Sequence, residues 1–189
     1  MILAAGAASR MGTLKQLLPY RGKTLLEHTI WQVEEAGFAP IVVVVGAQAE
    51  AVMDKVGRAR IEWAVNSNWQ RGMGSSVVTG VTRLLEMEPN ASSVALLLAD
   101  QPHITAQHLA GMYAEFENSG TPILAASYAG TVGVPAIFRS SVFETLKHLA
   151  EDTGARALLR GGMAQVRRYT LPEAATDIDT PEDFAGLKY

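Results

Sequence analysis

The sequence predicts a three-layer α/β/α domain built on a mainly parallel, mixed sheet. Three observations carry this prediction. The runs IVVVV (41–45) and VALLLA (94–99) are continuously apolar rather than alternating, as in strands covered on both faces. Segments of helical period separate such runs, several opened by a capping residue or closed by glycine. Hydrophobic residues make up 48% of a 189-residue chain, enough for a sizeable core in one domain of ordinary size.

The elements follow in order. ILAA is the first strand, and it stops abruptly at Gly6. TLLEHTIWQVEEAG is a helix: Thr24 and Glu27 have capping-box spacing, Leu26, Ile30 and Val33 share a face, and Gly37 is the C′ stop. IVVVV is the second strand, AEAVMDKV a short helix and IEWAV (61–65) a further strand. GSSVVTGVTRLLEM is the third helix, VALLLA the next strand, and TAQHLAGMYAEFENSG a helix capped by Thr105 and ended near Gly120. The alternation implies right-handed crossovers. The last third is less regular: PILAASY, VPAIF and QVRRYTL read as strands, and SSVFETLKHLA and TGARALLRG as helices. DIDTPEDFAGL closes with a short helix, Thr180 at the N-cap, Pro181 at N1 and Asp183 at N3. No repeat, low-complexity tract or dividing linker interrupts the chain, so residues 1–189 are expected to form one domain.

Composition removes several classes. A net charge of −3 lacks the basic balance of a nucleic-acid binder, yet a small anionic ligand needs only a few local cations. The absence of cysteine rules out disulfides, thiolate zinc sites and cysteine nucleophiles, and fits a reducing, cytoplasmic compartment. No stretch reaches the ~18 apolar residues of a membrane span. MILAAG carries no basic n-region or long h-region, so no signal peptide is expected, and the tight start leaves room for a residue or two before Met1. His28, His108 and His148 read as helix-surface residues, and His103 lies beside a candidate acidic loop. Trp31, Trp63 and Trp69 read as core or rim packing.

The loop after the first strand, GAASRMGTLK, is small-residue-rich and carries Arg10 and Lys15. It is not a P-loop, since five residues separate Gly6 from Gly12 and Lys15 comes three residues after Gly12 rather than directly. It is not a dinucleotide fingerprint, since Ala8 stands at the second glycine position. Its exposed backbone N–H groups can still form a nest for anionic oxygens, with Arg10 and Lys15 adding charge-assisted bonds. A solvated loop with two surface cations is the alternative.

LAAGAASRMGTLKQLL resembles the L-A-[AG]-G-x-S-x-R-[MF]-G-x-x-K signature of the nucleotidyltransferases related to the molybdenum-cofactor guanylyl- and cytidylyltransferases. Leu3, Ala4, Ala5, Gly6, Arg10, Met11, Gly12 and Lys15 match; Ala8, followed by Ser9, departs from the usual serine. The resemblance runs from Leu3 to about Leu187 and implies a Rossmann-like nucleotidyltransferase fold. It also implies a loop that wraps a triphosphate, with Arg10 and Lys15 neutralising the α and β phosphates. Ala5 leans towards CTP, because the guanylyl branch more often reads LAGG.

Transfer onto a phosphate brings two anions together, which a hard divalent ion on one or two carboxylates can support. Asp100 ends VALLLAD ahead of Pro102, at the C-terminal end of a strand, where open α/β sheets bind ligands. A turn aspartate before proline is the plain reading; LLLADQP also resembles the family's metal-binding D-Q-P segment, which Gln101 and Pro102 would shape. In DIDTPED, carried over by position, Asp179 is the second metal ligand implied, with Asp177 in reserve, while Glu182 and Asp183 read as capping acids. Gly74 and Ser75, at the start of the third helix, match a G-x-x-S-S region that borders the nucleotide. GVPAIF and EDTGARALL resemble the acceptor-facing segments, with Val134 and Glu151 replacing the usual residues. Asp152 and Arg156 are the acceptor contacts this implies, or else an i,i+4 ion pair.

The implied function is Mg²⁺-dependent transfer of CMP from CTP to molybdopterin with release of pyrophosphate. Residues from 1 to about 105 would bind the nucleotide and the remainder the acceptor. Lys15, Arg10 and Asp100 would carry the chemistry, and a molybdoenzyme or its chaperone would be the macromolecular partner. A sugar or polyol phosphate acceptor, and a non-catalytic nucleotide-binding accessory protein, are the alternatives that Val134 and Ala8 leave open.

Overall fold

A computed structural model describes residues 1–7, 11–57, 60–150, 154–160 and 166–187. The chain runs β1 (Ile2–Ala4), β2 (Pro19–Tyr20), β3 (Lys23–Thr24), α1 (Leu25–Glu35), β4 (Val42–Val45), α2 (Ala49–Val56), β5 (Glu62–Val65) and α3 (Met73–Met87). It continues through β6 (Ser93–Leu98), α4 (Ala106–Ser119), β7 (Ile123–Tyr128), β8 (Thr131–Arg139), α5 (Phe143–Lys147), α6 (Ala155–Arg160), β9 (Val166–Thr170) and α7 (Pro181–Ala185). Seven strands form one sheet in the order β5-β4-β1-β6-β8-β7-β9, and β2 pairs with β3 in a separate hairpin.

The apolar runs behave as their composition requires. Val42 and Val44 enter one core with Val77, Val81 and Leu84 of α3 and Leu158 of α6. Val43 and Val45 enter the other with Leu26, Ile30 and Val33 of α1, Val52 of α2 and Met112 of α4. With helices on both faces, no position along β4 meets water, so no polar residue alternates there. Helices α1, α4 and α7 each carry a capping box, on Thr24 with Glu27, Thr105 with His108 and Thr180 with Asp183. Each box satisfies N–H groups that the helix itself leaves without partners.

β1 pairs in parallel with both β4 and β6, with Ile2 opposite Val43 and Leu97. The chain leaving β1 and the chain leaving β6 therefore emerge side by side. β8 alone runs antiparallel to its neighbours β6 and β7. It starts three residues before the predicted VPAIF, and its direction is set by the tight Ala129–Gly130 turn joining it to β7. The β2–β3 hairpin was not predicted, because two residues per strand leave no measurable period.

The reading of His28 as a surface residue is corrected. His28 is only 3% exposed and lies edge-on to Tyr20, at 4.8 Å between ring centroids. The hairpin covers the α1 face that would otherwise be solvated. His108 is half-buried, its Nδ1 accepting the Thr105 N–H at 3.3 Å, whereas His148 is exposed as expected.

Burial lowers the His28 pKa, with Arg21, Lys23 and His103 pushing the same way against a backbone hydrogen bond at Pro102. The unfolded chain then binds the proton better. The resulting stability is complete above the ordinary value of 6.5 and is lost as pH falls through the depressed folded value. The melting temperature is expected to fall between about pH 8 and about pH 5, and His28→Phe to remove part of that slope. An unchanged slope in the variant would show that His28 does not drive it.

Candidate active site

Three segments distant in sequence meet beyond the C-terminal ends of β1 and β6. The first is a single 3-10 turn, Lys15–Leu17. Gln16 is buried, and its Nε2 donates to the Ala4 carbonyl at 3.2 Å, which pins the turn against the end of β1. The second is Asp100, two residues past β6. The third is the strand-like stretch before α7. There Ile178 N–H donates to the Asp100 carbonyl at 3.1 Å, and the Ile178 side chain is buried with Tyr20, Leu25 and Leu187.

These anchors converge on one ammonium. Lys15 Nζ forms a close ion pair with Asp100 Oδ2 and donates to Asp179 Oδ1 at 2.8 Å. Burial alone would lower the Lys15 pKa. The Asp100 and Asp179 carboxylates outweigh it, so the net shift is upward and the amine stays charged. Asp179 is aimed by its own helix cap, since Asp183 Oδ2 accepts the N–H groups of Asp179 at 3.1 Å and Thr180 at 2.8 Å. Asp177 makes no bond to Lys15. Desolvation, and then the Asp100 and Asp179 charges, raise its carboxyl above the usual range.

The donor set suits a hard divalent cation. Asp100 is 8% exposed, and its Oδ1 has no hydrogen-bond partner among the described residues. A buried carboxylate oxygen without a donor is costly, and a cation bound at the carboxylate would offset that cost. Two carboxylates against one ammonium leave one negative charge in excess. Among the described residues no group of three or more His, Cys, Asp or Glu forms a complete cage. Such a cluster suits an ion that takes one or two protein carboxylates and completes its shell with water and phosphate oxygens, as Mg²⁺ does.

Beside this cluster opens a cleft of about 180 Å³. Leu3, Ala4, Ala5, Gly6, Lys15, Gln16, Leu98, Ala99 and Asp100 line it from the β1 and β6 ends, and Trp69, Gly72, Met73 and Ser76 from the N-terminus of α3. Gly72 caps α3 at φ +117°, a conformation that favours glycine, and no side chain caps the helix. The Ser75 N–H is taken by the Gly72 carbonyl at 3.2 Å, while the first-turn N–H groups of Met73 and Gly74 have no acceptor among the described residues and are open to a ligand. Trp69 can lie where it does because Gly46 has no side chain: a Cβ there would sit 2.6 Å from Trp69 Cβ and 2.9 Å from the Ala5 carbonyl oxygen.

Of the residues singled out in the sequence, Leu3, Ala4, Ala5, Gly6, Lys15 and Asp100 line the cleft, and Asp179 joins Lys15 at its edge. Gly74 and Ser75 are buried behind the lining, the Ser75 hydroxyl donating to the Gly72 carbonyl at 2.7 Å. Gly12 is exposed, at φ +65°, outside the lining. Arg10 and Asp152 lie outside the described residues, as does the side chain of Arg156 in α6. Sequence reasoning missed Gln16 and Met73 as lining residues and treated Trp69 as packing; Ser76, named with Ser75 as a hydroxyl at the helix start, is the one of the two that lines the cleft. Only the adjacency of Gln16 to Lys15 was a signal.

The fold and cleft define a nucleotidyltransferase architecture. Residues 1–169 match the MobA-like NTP transferase domain, and the chain belongs to that family. It is 29% identical to the purine catabolism protein PucB of Bacillus subtilis, over 97% of this chain and 92% of that protein. It is also 29% identical to nicotine blue oxidoreductase of Paenarthrobacter nicotinovorans, over 99% of this chain and 94% of that protein. Rv0371c of Mycobacterium tuberculosis superposes with a TM-score of 0.85 at 32% identity, covering 97% of this chain and 93% of that chain. A second structure of Rv0371c is a complex with manganese.

Two outcomes follow from the geometry. Lys15→Met leaves two carboxylates facing each other, so the variant should melt below wild type, and millimolar Mn²⁺ should raise its melting temperature more than that of wild type. Equal shifts in both proteins would speak against a cation between Asp100 and Asp179. Gly46→Ala should cost about 1–3 kcal/mol by urea unfolding, because neither Trp69 nor the Ala5 carbonyl can withdraw freely.

Proposed function

We propose that this protein is a divalent-metal-dependent nucleotidyltransferase that transfers CMP from CTP to a phosphate-bearing acceptor, with molybdopterin favoured, and releases pyrophosphate. One observation carries the reading. Lys15, Asp100 and Asp179 form a single charged cluster at the edge of a cleft lined by the residues of the L-A-A-G segment. CTP rests on Ala5, and the acceptor rests on the family resemblance. On this reading the nucleotide-binding part spans about 1–105 and the acceptor part the rest of one domain.

The chain's own groups supply positioning and charge. The Lys15 ammonium has three N–H donors. Two are engaged by Asp100 and Asp179, and the third is available to a phosphate oxygen. Arg10 adds a second cation from the loop. The open first turn of α3 presents backbone donors to the same ligand. Asp100 and Asp179 would hold the divalent ion, which when bound supplies charge neutralisation on the phosphate oxygens and pyrophosphate. An oxygen of the acceptor phosphate forms the new bond to the α-phosphorus as the bond to the β-phosphate bridging oxygen breaks, and pyrophosphate leaves with that electron pair. No protein nucleophile takes part. Catalysis is orientation plus electrostatic stabilisation.

The test is pyrophosphate release from each of the four NTPs, with Mg²⁺ or Mn²⁺, against molybdopterin and a panel of sugar and polyol phosphates. Release with CTP and molybdopterin is expected. Asp100→Asn should lower the rate on the order of a thousandfold. Nucleotide binding without release from any pair would favour an accessory role and defeat the proposal.

A further inference from the structure

The chain between Asp100 and α4 is held from the side by two buried residues of α1, His28 and Gln32. Gln32 Oε1 accepts the N–H of Ala106, the first residue of α4, at 2.7 Å. A backbone N–H only donates, so the orientation of the Gln32 amide is set. Its Nε2 therefore faces His28 Nε2, at 3.5 Å. An amide nitrogen also only donates, so His28 Nε2 is the acceptor and the ring proton lies on Nδ1. That proton goes to the carbonyl of Pro102, two residues past Asp100. Both ends of the segment 102–106 are thus tied to α1 by groups that lie outside the cleft.

The tie holds only while His28 is neutral. A second ring proton turns Nε2 from acceptor into donor, and two donors then face each other. Gln32 can meet the charged ring only by turning its oxygen inward, which takes that oxygen from Ala106. The surroundings do not favour the charge. Tyr20, Arg21 and Lys23 face the ring from the hairpin, Trp31 from α1 and His103 from the loop, and Arg21 and Lys23 are cations.

We propose that His28 and Gln32 are positioning residues for Asp100: they hold the loop that follows it in place while His28 is neutral, and release that loop when His28 takes up a second proton. This rests on the reading of Asp100 as a cation ligand given above. Burial, then the neighbouring cations, depress the His28 pKa in the closed form, whereas opening returns it to the ordinary 6.5. The open form therefore binds the proton better. Opening is least above 6.5 and grows as pH falls towards the depressed value. A second imidazole touches the same junction, since His108 Nδ1 accepts the Thr105 N–H at 3.3 Å, and the experiment separates the two.

Three measurements on the full chain decide it. In wild type at neutral pH, long-range ¹H–¹⁵N spectra should place the His28 ring proton on Nδ1. Hydrogen exchange at Ala106, corrected for the intrinsic rate, should quicken about fivefold or more between about pH 7.5 and about pH 5.5. That rise should persist in His108→Gln, which keeps a capping acceptor, and disappear in His28→Gln. Gln32→Met should exchange fast at Ala106 at both pH values. Calorimetric titration at about pH 7.5 should show Mn²⁺ bound about threefold more weakly by Gln32→Met than by wild type. A ring proton on Nε2, an Ala106 rate indifferent to pH, or a response that survives in His28→Gln overturns the proposal, as does unchanged Mn²⁺ affinity in Gln32→Met. If His28→Gln fails to fold, the wild-type spectra and Gln32→Met still decide. A wild type that binds no Mn²⁺ overturns the reading of Asp100 as a cation ligand, which is a separate result, and the exchange rates then decide whether the loop is released.

Discussion

The site depends on one ammonium shared between two carboxylates. Like charges about 4 Å apart repel by about 4 kcal/mol where the effective dielectric constant is near 20. Asp100 and Asp179 can therefore converge only with a cation between them. Lys15 is that cation here, and its surroundings hold it in place. Gln16 ties its turn to Ala4, Asp100 follows the buried strand β6, and Asp179 is positioned by the Ile178 N–H and by the cap of α7. The remaining negative charge and the unpartnered Asp100 Oδ1 leave the cluster prepared for a further cation.

The C-terminal segment is part of this site rather than an appendage. Gln101 donates through Nε2 to the Ala174 carbonyl at 2.9 Å and the Val134 carbonyl at 3.3 Å. The residue after Asp100 thereby clamps both the antiparallel strand β8 and the approach to α7. The Ala174 and Ile178 bonds together hold the tail where Asp179 reaches Lys15. The cluster of Tyr20, Leu25, Ile178 and Leu187 covers them from water. A short hairpin with no evident signal in the sequence is what completes that cover, and it is also what buries His28.

Much of the fold was legible because the residues concerned answer to local rules. Val42–Val45 had to be a doubly covered strand, and Thr24, Thr105 and Thr180 had to cap helices, whatever lay around them. Lys15, Asp100 and Asp179 were legible as candidates because each stands in a recognisable motif. Gln16 was not, since a glutamine acquires a role only when its amide is left facing a strand end. Gly46 was equally silent: its meaning is the Trp69 side chain packed against it from elsewhere in the chain.

The sequence by itself determined the layers, the helix boundaries, the family and the identities of the charged groups, because these follow from periodicity, capping and a long motif within contiguous stretches. The tertiary structure decided that β1 and β6 are neighbours, that Asp179 rather than Asp177 meets Lys15, that β8 runs against the sheet, and that Ser76 rather than Ser75 lines the cleft. Those outcomes depend on which groups are brought within about 3 Å of one another across dozens of residues, a distance that hydrogen bonds and ion pairs require and that no local pattern encodes.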